Sequence, residues 1–151
     1  MTLHAPVLAF HIACGVSALI LGLVAMRASK RRGLHTNAGE IYHWLMASVF
    51  VSACVLAILA WQRLWWFLPI AAGSYAFALL GYLAAKLRWR NWLRYHLIGQ
   101  GGSYIAMTTA VLVVNVGIGA WWAWILPTLI GSPVIAWIVR EVAMGRRPKY
   151  P

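Results

Sequence analysis

The sequence contains very few acidic residues. Aspartate is absent, and Glu40 and Glu141 are the only two carboxylic side chains among 151 residues. Hydrolytic catalysis by a carboxylate pair, and metal sites built from carboxylates, are disfavoured because this chain has no aspartate and only these two glutamates. Charged residues make up only 10% of the chain, whereas soluble globular domains contain roughly 25%. The composition therefore excludes a water-soluble domain and argues against carboxylate-dependent hydrolases.

Cysteine is also scarce, since Cys14 and Cys54 are the only two in the chain. Both fall within apolar runs, where an isolated thiol most often packs as a small apolar group. A disulfide and a Cys-His nucleophile are therefore not expected.

Apolar residues dominate the chain, at 63% of the total. About 20 apolar residues in a helix cross a bilayer core of about 30 Å, and backbone groups in lipid must be satisfied within the segment. Five stretches are predicted to span, namely 6–26, 41–62, 66–85, 93–116 and 121–139. The first is longer than a signal-peptide core and no basic residue precedes it, so it is predicted to stay as a span. The predicted fold is an all-α integral membrane domain, a four-transmembrane-helix bundle with a fifth, C-terminal transmembrane helix.

Positive charge is abundant, with 13 Lys and Arg and a net charge of +11. Such an excess is typical of nucleic-acid-binding proteins, but here the basic residues form short clusters between apolar runs. The clusters are Arg27, Lys30, Arg31 and Arg32; Lys86, Arg88, Arg90 and Arg94; and Arg140, Arg146, Arg147 and Lys149. The positive-inside rule then predicts an external N-terminus and a cytoplasmic C-terminus. We expect the partner to be the lipid bilayer of the bacterial inner membrane and not nucleic acid.

Histidine is the side chain on which specific chemistry is expected, because ionisable groups within membranes are functional candidates. His35, His43 and His96 fall near the predicted cytoplasmic boundary on different segments. Imidazole is the commonest metal ligand and an axial ligand of haem. The spacing predicts one inner site, with two alternatives: haem b between His43 and His96, or a transition-metal ion held by His35, His43 and His96.

Two further residues join the candidate cofactor-binding set. His11 lies about 22 Å from the inner end of the first span, too far to join the inner site. We expect it to serve proton transfer or quinone contact. Gln100 shares a helical face with His96 and lies one turn further along the fourth span.

Three stretches resemble small bacterial membrane proteins of unknown function called DUF2306. They are His11-Ile12 with Gly15 and Ala18; Gly33-Leu34-His35 followed by Gly39-Glu40-Ile41-Tyr42 and Met46; and His96-Leu97-Ile98-Gly99 running into Gly102-Ser103-Tyr104-Ile105-Ala106. The resemblance covers most of residues 7–115. It implies a multi-helix membrane domain whose recurring histidines correspond to His11, His35 and His96.

This chain departs from the family pattern at two positions. Thr36 stands where the family usually has a basic residue. At the position of His43, the family shows no recurring histidine, so this residue is an addition in this chain. The resemblance therefore favours His35 with His96 as the inner pair. The family is loosely similar to haem b membrane cytochromes, which is an analogy of fold.

These observations predict a redox-linked inner-membrane protein that exchanges electrons with quinone or with a partner complex. An alternative is a non-catalytic accessory or assembly subunit of a larger respiratory or photosynthetic membrane complex. Small-residue helix faces would suit that role, and they would also suit a homo-oligomer. Narrow transport along Gln100, Ser103 and Asn115 is a third interpretation.

Overall fold

The computed structural model describes residues 3–30 and 33–146, and all regular structure in these ranges is helical. The helices are α1 His4–Arg27, α2 Leu34–Leu59, α3 Trp61–Leu64, α4 Phe67–Lys86, α5 Trp92–Val116 and α6 Trp121–Ala143. Five of them are long and apolar enough to cross a membrane, and α3 is a single short turn between α2 and α4. The prediction of an all-α chain with five candidate spans is confirmed.

The largest difference from the predicted spans lies at α2. This helix begins at Leu34, before the apolar run that starts at Ile41, and it ends at Leu59. Gln62, the predicted end of that span, belongs to α3. Hydropathy measures the length that lipid solvates, whereas backbone hydrogen bonding continues through polar residues at the interface. The helix is therefore longer at its N-terminus than its apolar run.

The chain forms two compact units, one ending at Tyr75 and the other starting at Ala76, so α4 contributes to both. In the first unit, α1 packs along α2 through small residues, and Cys14, Ala18 and Gly22 are its buried positions. Small residues let helix backbones approach closely in a membrane. Cys14 and Cys54 are both free thiols.

In the second unit, α4 and α5 meet at backbone level. A β-carbon on Gly99 would lie 2.6 Å from both the Gly81 Cα atom and the Phe77 carbonyl oxygen. Real β-carbons essentially never approach so closely, so this crossing requires glycine. The contact brings the polar residues of α5 within reach of the carbonyl groups of α4.

Helix α6 packs on α5 through isoleucine side chains that fill the space beside glycines. The side chain of Ile105 lies against Gly131, and that of Ile135 lies against Gly101. Helix α6 stays continuous through Pro127 and Pro133, and Ala123 is its one buried residue in the described range.

Candidate histidine sites

His96 binds the backbone of the preceding long helix. Its Nδ1 atom lies 2.9 Å from the Gly81 carbonyl oxygen. A carbonyl oxygen only accepts, so Nδ1 carries the proton and donates it. In the neutral ring the lone pair is therefore on Nε2. Gln100, one turn later, donates from its Nε2 atom to the Ala78 carbonyl oxygen at 3.1 Å.

His35 makes the same kind of bond at the end of α1. Its Nδ1 atom donates to the Ala25 carbonyl oxygen at 2.8 Å. Lys30 donates from Nζ to that carbonyl and to the carbonyl of Met26, both at 2.7 Å. The last four carbonyls of a helix have no partner within the helix. His35 and Lys30 therefore satisfy two of these carbonyls of α1.

His35 and His96 occupy equivalent positions in two helical hairpins. Each follows a basic connection, and each donates from Nδ1 to a carbonyl of the helix before that connection. In both helices, buried residues lie three, seven and eleven positions after the histidine: Ala38, Tyr42 and Met46 after His35, and Gly99, Ser103 and Met107 after His96. One arrangement of helix, basic connection and histidine is thus built twice.

His11 joins α1 to α2 through Ser52. The His11 Nδ1 atom lies 2.9 Å from Ser52 Oγ. Ser52 Oγ lies 2.7 Å from the Ser48 carbonyl oxygen and 3.1 Å from that of Val49, so its single hydroxyl hydrogen is donated to the backbone of its own helix. Ser52 Oγ is therefore the acceptor, and His11 is the third histidine that donates from Nδ1.

His43 differs from the other three. It is 5% exposed and belongs to an aromatic cluster, stacked on Tyr75 at 6.1 Å between ring centroids and edge-on to Trp44 at 5.5 Å. Its Nδ1 atom is buried and has no hydrogen-bond partner, although the residue has interactions elsewhere. The ring is thus held by aromatic packing and not by a bond from Nδ1 to a neighbouring helix.

The predicted site residues are not all brought together. His35 and His43 belong to the first unit and His96 to the second, so the predicted haem pairs with His96 stay predictions. Within residues 3–30 and 33–146, no three His, Cys, Asp or Glu side chains form a group that could hold a metal ion. The three-histidine metal site of His35, His43 and His96 therefore receives no support and stays a prediction.

The sequence did not reveal the acceptors of these bonds. Every residue carries a carbonyl group, so nothing in the residue type of Ala25, Ala78 or Gly81 identifies it as an acceptor. Lys30 carried a weak signal, because cationic side chains after a helix often bind its last carbonyls. Ser52 carried another, as a hydroxyl in the middle of an apolar run.

Comparisons with protein-family models, curated proteins and solved structures find no match to this chain.

Proposed function

We propose that this chain is a redox-linked membrane protein that holds haem b or a transition-metal ion through histidine Nε2 atoms. One observation carries the proposal: three histidines on three helices each donate from Nδ1. Histidines that bind metals almost always donate the other ring N–H to a carbonyl, a carboxylate or water, which sets the tautomer and orients the ring. These three are the histidines that the resemblance to the DUF2306 family implies.

Imidazole nitrogen is the ligand type that haem iron and transition-metal ions take in proteins. His96 is the first proposed ligand, and either His43 or His35 supplies the second nitrogen. The Gly81 carbonyl holds the His96 ring in the tautomer whose Nε2 lone pair can bind iron or another metal. Bound haem b supplies one-electron chemistry. The chain's own part is to orient the imidazoles and to surround them with apolar helix.

His11 is proposed to contact quinone. Because its Nδ1–H is donated to Ser52, the neutral ring has Nε2 as its acceptor. That nitrogen can accept a hydrogen bond, or a proton, from the hydroxyl group of a quinol. Ser52 is a positioning residue, since it orients the ring and does not itself meet the substrate.

The topology completes the proposal. Basic residues form clusters after α1, after α4 and at the end of α6. By the positive-inside rule, these three clusters favour a cytoplasmic position for these ends of the helices and an external N-terminus. We place the chain in the bacterial inner membrane as a four-helix bundle with α6 beside it. Membership of the DUF2306 family belongs to the same proposal.

The test is a visible spectrum with elemental analysis of the purified protein, followed by the His96→Asn variant. The side-chain amide of asparagine can replace the Nδ1 donor of histidine but offers nothing at the position of Nε2. We expect a Soret band or stoichiometric metal in the wild type. We expect this signal to be lost in His96→Asn while thermal stability stays close to wild type.

The matched control is His4→Ala, which removes a histidine outside the proposed sites and should leave the spectrum unchanged. A Soret band that survives His96→Asn would exclude this ligation. A stable chain with neither chromophore nor metal would exclude the whole class. If that chain also co-purified stoichiometrically with a respiratory complex, the accessory-subunit alternative would replace the proposal.

A further inference from the structure

A groove of about 560 Å³ runs between α5 and α6 in the second unit. Apolar side chains from both helices form most of its lining, and Phe77 of α4 also contributes. Only two of its lining residues are charged, Arg94 and Arg140, and both are exposed. The groove therefore has a mainly apolar lining with two cationic residues.

The two arginines lie at one end of the groove. Arg94 is in the first turn of α5 and Arg140 is in the last turn of α6, and the two helices run antiparallel after a short connection. In the described ranges, neither guanidinium has a hydrogen bond or an ion pair. Arg146, by contrast, forms an ion pair with Glu141, with 3.5 Å between Arg146 Nη1 and Glu141 Oε1. Two cationic groups at the groove thus have no protein counter-charge.

The length of the groove matches half a membrane. From Arg94 to Ile105, α5 rises about 16 Å, and one leaflet contributes about 15 Å of the hydrocarbon core. A ligand that fits this pattern has an anionic head at the arginines and an apolar chain that runs toward the bilayer centre. An anionic phospholipid has this form, and guanidinium groups bind phosphate oxygens well.

Packing within the unit shapes the groove. Gly102 leaves room along α5, and a β-carbon there would come within 2.8 Å of the Phe77 ring. Ile105 against Gly131 and Ile135 against Gly101 hold α5 and α6 together, and both isoleucines also line the groove. The walls therefore exist before any lipid arrives, so binding costs little ordering of the protein.

We propose that this groove is a specific site for one anionic phospholipid, with its phosphate between Arg94 and Arg140 and one acyl chain along α5 and α6. The site is separate from the histidines and does not depend on the redox proposal. Charge complementarity selects the occupant, because a zwitterionic lipid brings a cationic group toward two unneutralised arginines.

The experiment uses the delipidated full chain in mild detergent and native mass spectrometry. Phosphatidylglycerol and phosphatidylcholine with identical acyl chains are the two probes. The wild type should retain one phosphatidylglycerol and bind phosphatidylcholine more weakly. In Arg94→Gln/Arg140→Gln, the affinity for phosphatidylglycerol should fall about 25-fold, from roughly fivefold for each basic residue.

Two further variants keep the test decisive. Arg90→Gln/Arg146→Gln removes the same charge outside the groove and should retain the lipid. Ala136→Trp fills the groove without removing an arginine and should also lose the lipid. Equal retention of the two probes, an equal loss in the control double variant, or a second copy of the chain covering the groove in place of lipid would each overturn the proposal.

Discussion

Lys30 and His35 share one hydrogen-bond acceptor. The Lys30 Nζ and His35 Nδ1 atoms lie 2.7 and 2.8 Å from the Ala25 carbonyl oxygen. One donor comes from the connection after α1 and the other from the start of α2, so the shared carbonyl ties the two helices together. Cationic groups are also favourable at the negative end of a helix dipole.

Because the acceptor is shared, we expect the losses from Lys30→Ala and His35→Ala to be non-additive. Each single variant leaves the Ala25 carbonyl one donor and should lower the free energy of unfolding by about 0.5–1.5 kcal/mol. The double variant leaves none and should lose about 1 kcal/mol more than the sum. Unfolding in mixed micelles, followed by tryptophan fluorescence, measures all three values. Arg27→Ala is the control for charge at the same helix end, and simple additivity would contradict the shared acceptor.

The stability contributed by Lys30 should depend on pH. Burial lowers the pKa of the Lys30 ammonium from its ordinary value of 10.5. The folded chain therefore binds this proton less tightly than the unfolded chain, and the free energy of unfolding rises with pH between the lowered pKa and about 10.5. The neutral amine keeps N–H groups for both carbonyls.

Lys30→Arg stays charged across this range and provides the comparison. The melting temperature of the wild type relative to Lys30→Arg should rise as the pH goes from about 7 to about 10.5. A constant or falling difference would show that burial does not weaken the protonation of Lys30.

The crossing of α4 and α5 should not tolerate a side chain at Gly99. In Gly99→Ala, the new β-carbon would overlap the Gly81 backbone, and separating the helices should cost about 1–3 kcal/mol of unfolding free energy. Gly73→Ala is the matched control, since a β-carbon at Gly73 of α4 meets nothing within 4 Å. The control should be neutral or gain up to about 1 kcal/mol from helix propensity. Equal effects of the two substitutions would contradict the close crossing.

The tautomers of three histidines can be measured directly. Their acceptors require Nδ1–H in His11, His35 and His96, whereas most neutral histidines in water carry the proton on Nε2. Nitrogen-15 spectra of the histidine-labelled protein distinguish the two forms, and single His→Asn variants assign the signals. We expect Nδ1 protonation in all three rings. A neutral ring protonated on Nε2 would remove His35 or His96 from the proposed ligands, and at His11 it would remove the proposed acceptor for a quinol.

Much of the secondary structure could be predicted because lipid imposes a simple length rule. The predicted span 66–85 corresponds to Phe67–Lys86, and 93–116 to Trp92–Val116. The rule fails at the start of α2, where Leu34 begins a helix through polar residues. Hydrogen bonding within the helix maintains that turn, and hydropathy does not register it.

The candidate site was predicted only in part. His11, His35, His96 and Gln100 stood out because polar groups in an apolar chain need partners. Their partners could not be predicted, because three are backbone carbonyls at Ala25, Gly81 and Ala78, and such acceptors occur at every residue. The groove at Arg94 and Arg140 could not be predicted for a related reason: the sequence assigns each arginine to a basic cluster at the lipid interface, and nothing in it brings the two together at one groove.

The sequence by itself determined that this chain is helical and that five helices are apolar enough to span a membrane, and it predicted histidine as the side chain for specific chemistry. These properties follow from composition and from the length of apolar runs, which act locally. Only the tertiary structure decided which ring nitrogen donates in His11, His35 and His96 and which arginines lie without a counter-charge at a groove. These features depend on close helix packing, as at Gly81 and Gly99, where residues distant in sequence meet within hydrogen-bond range.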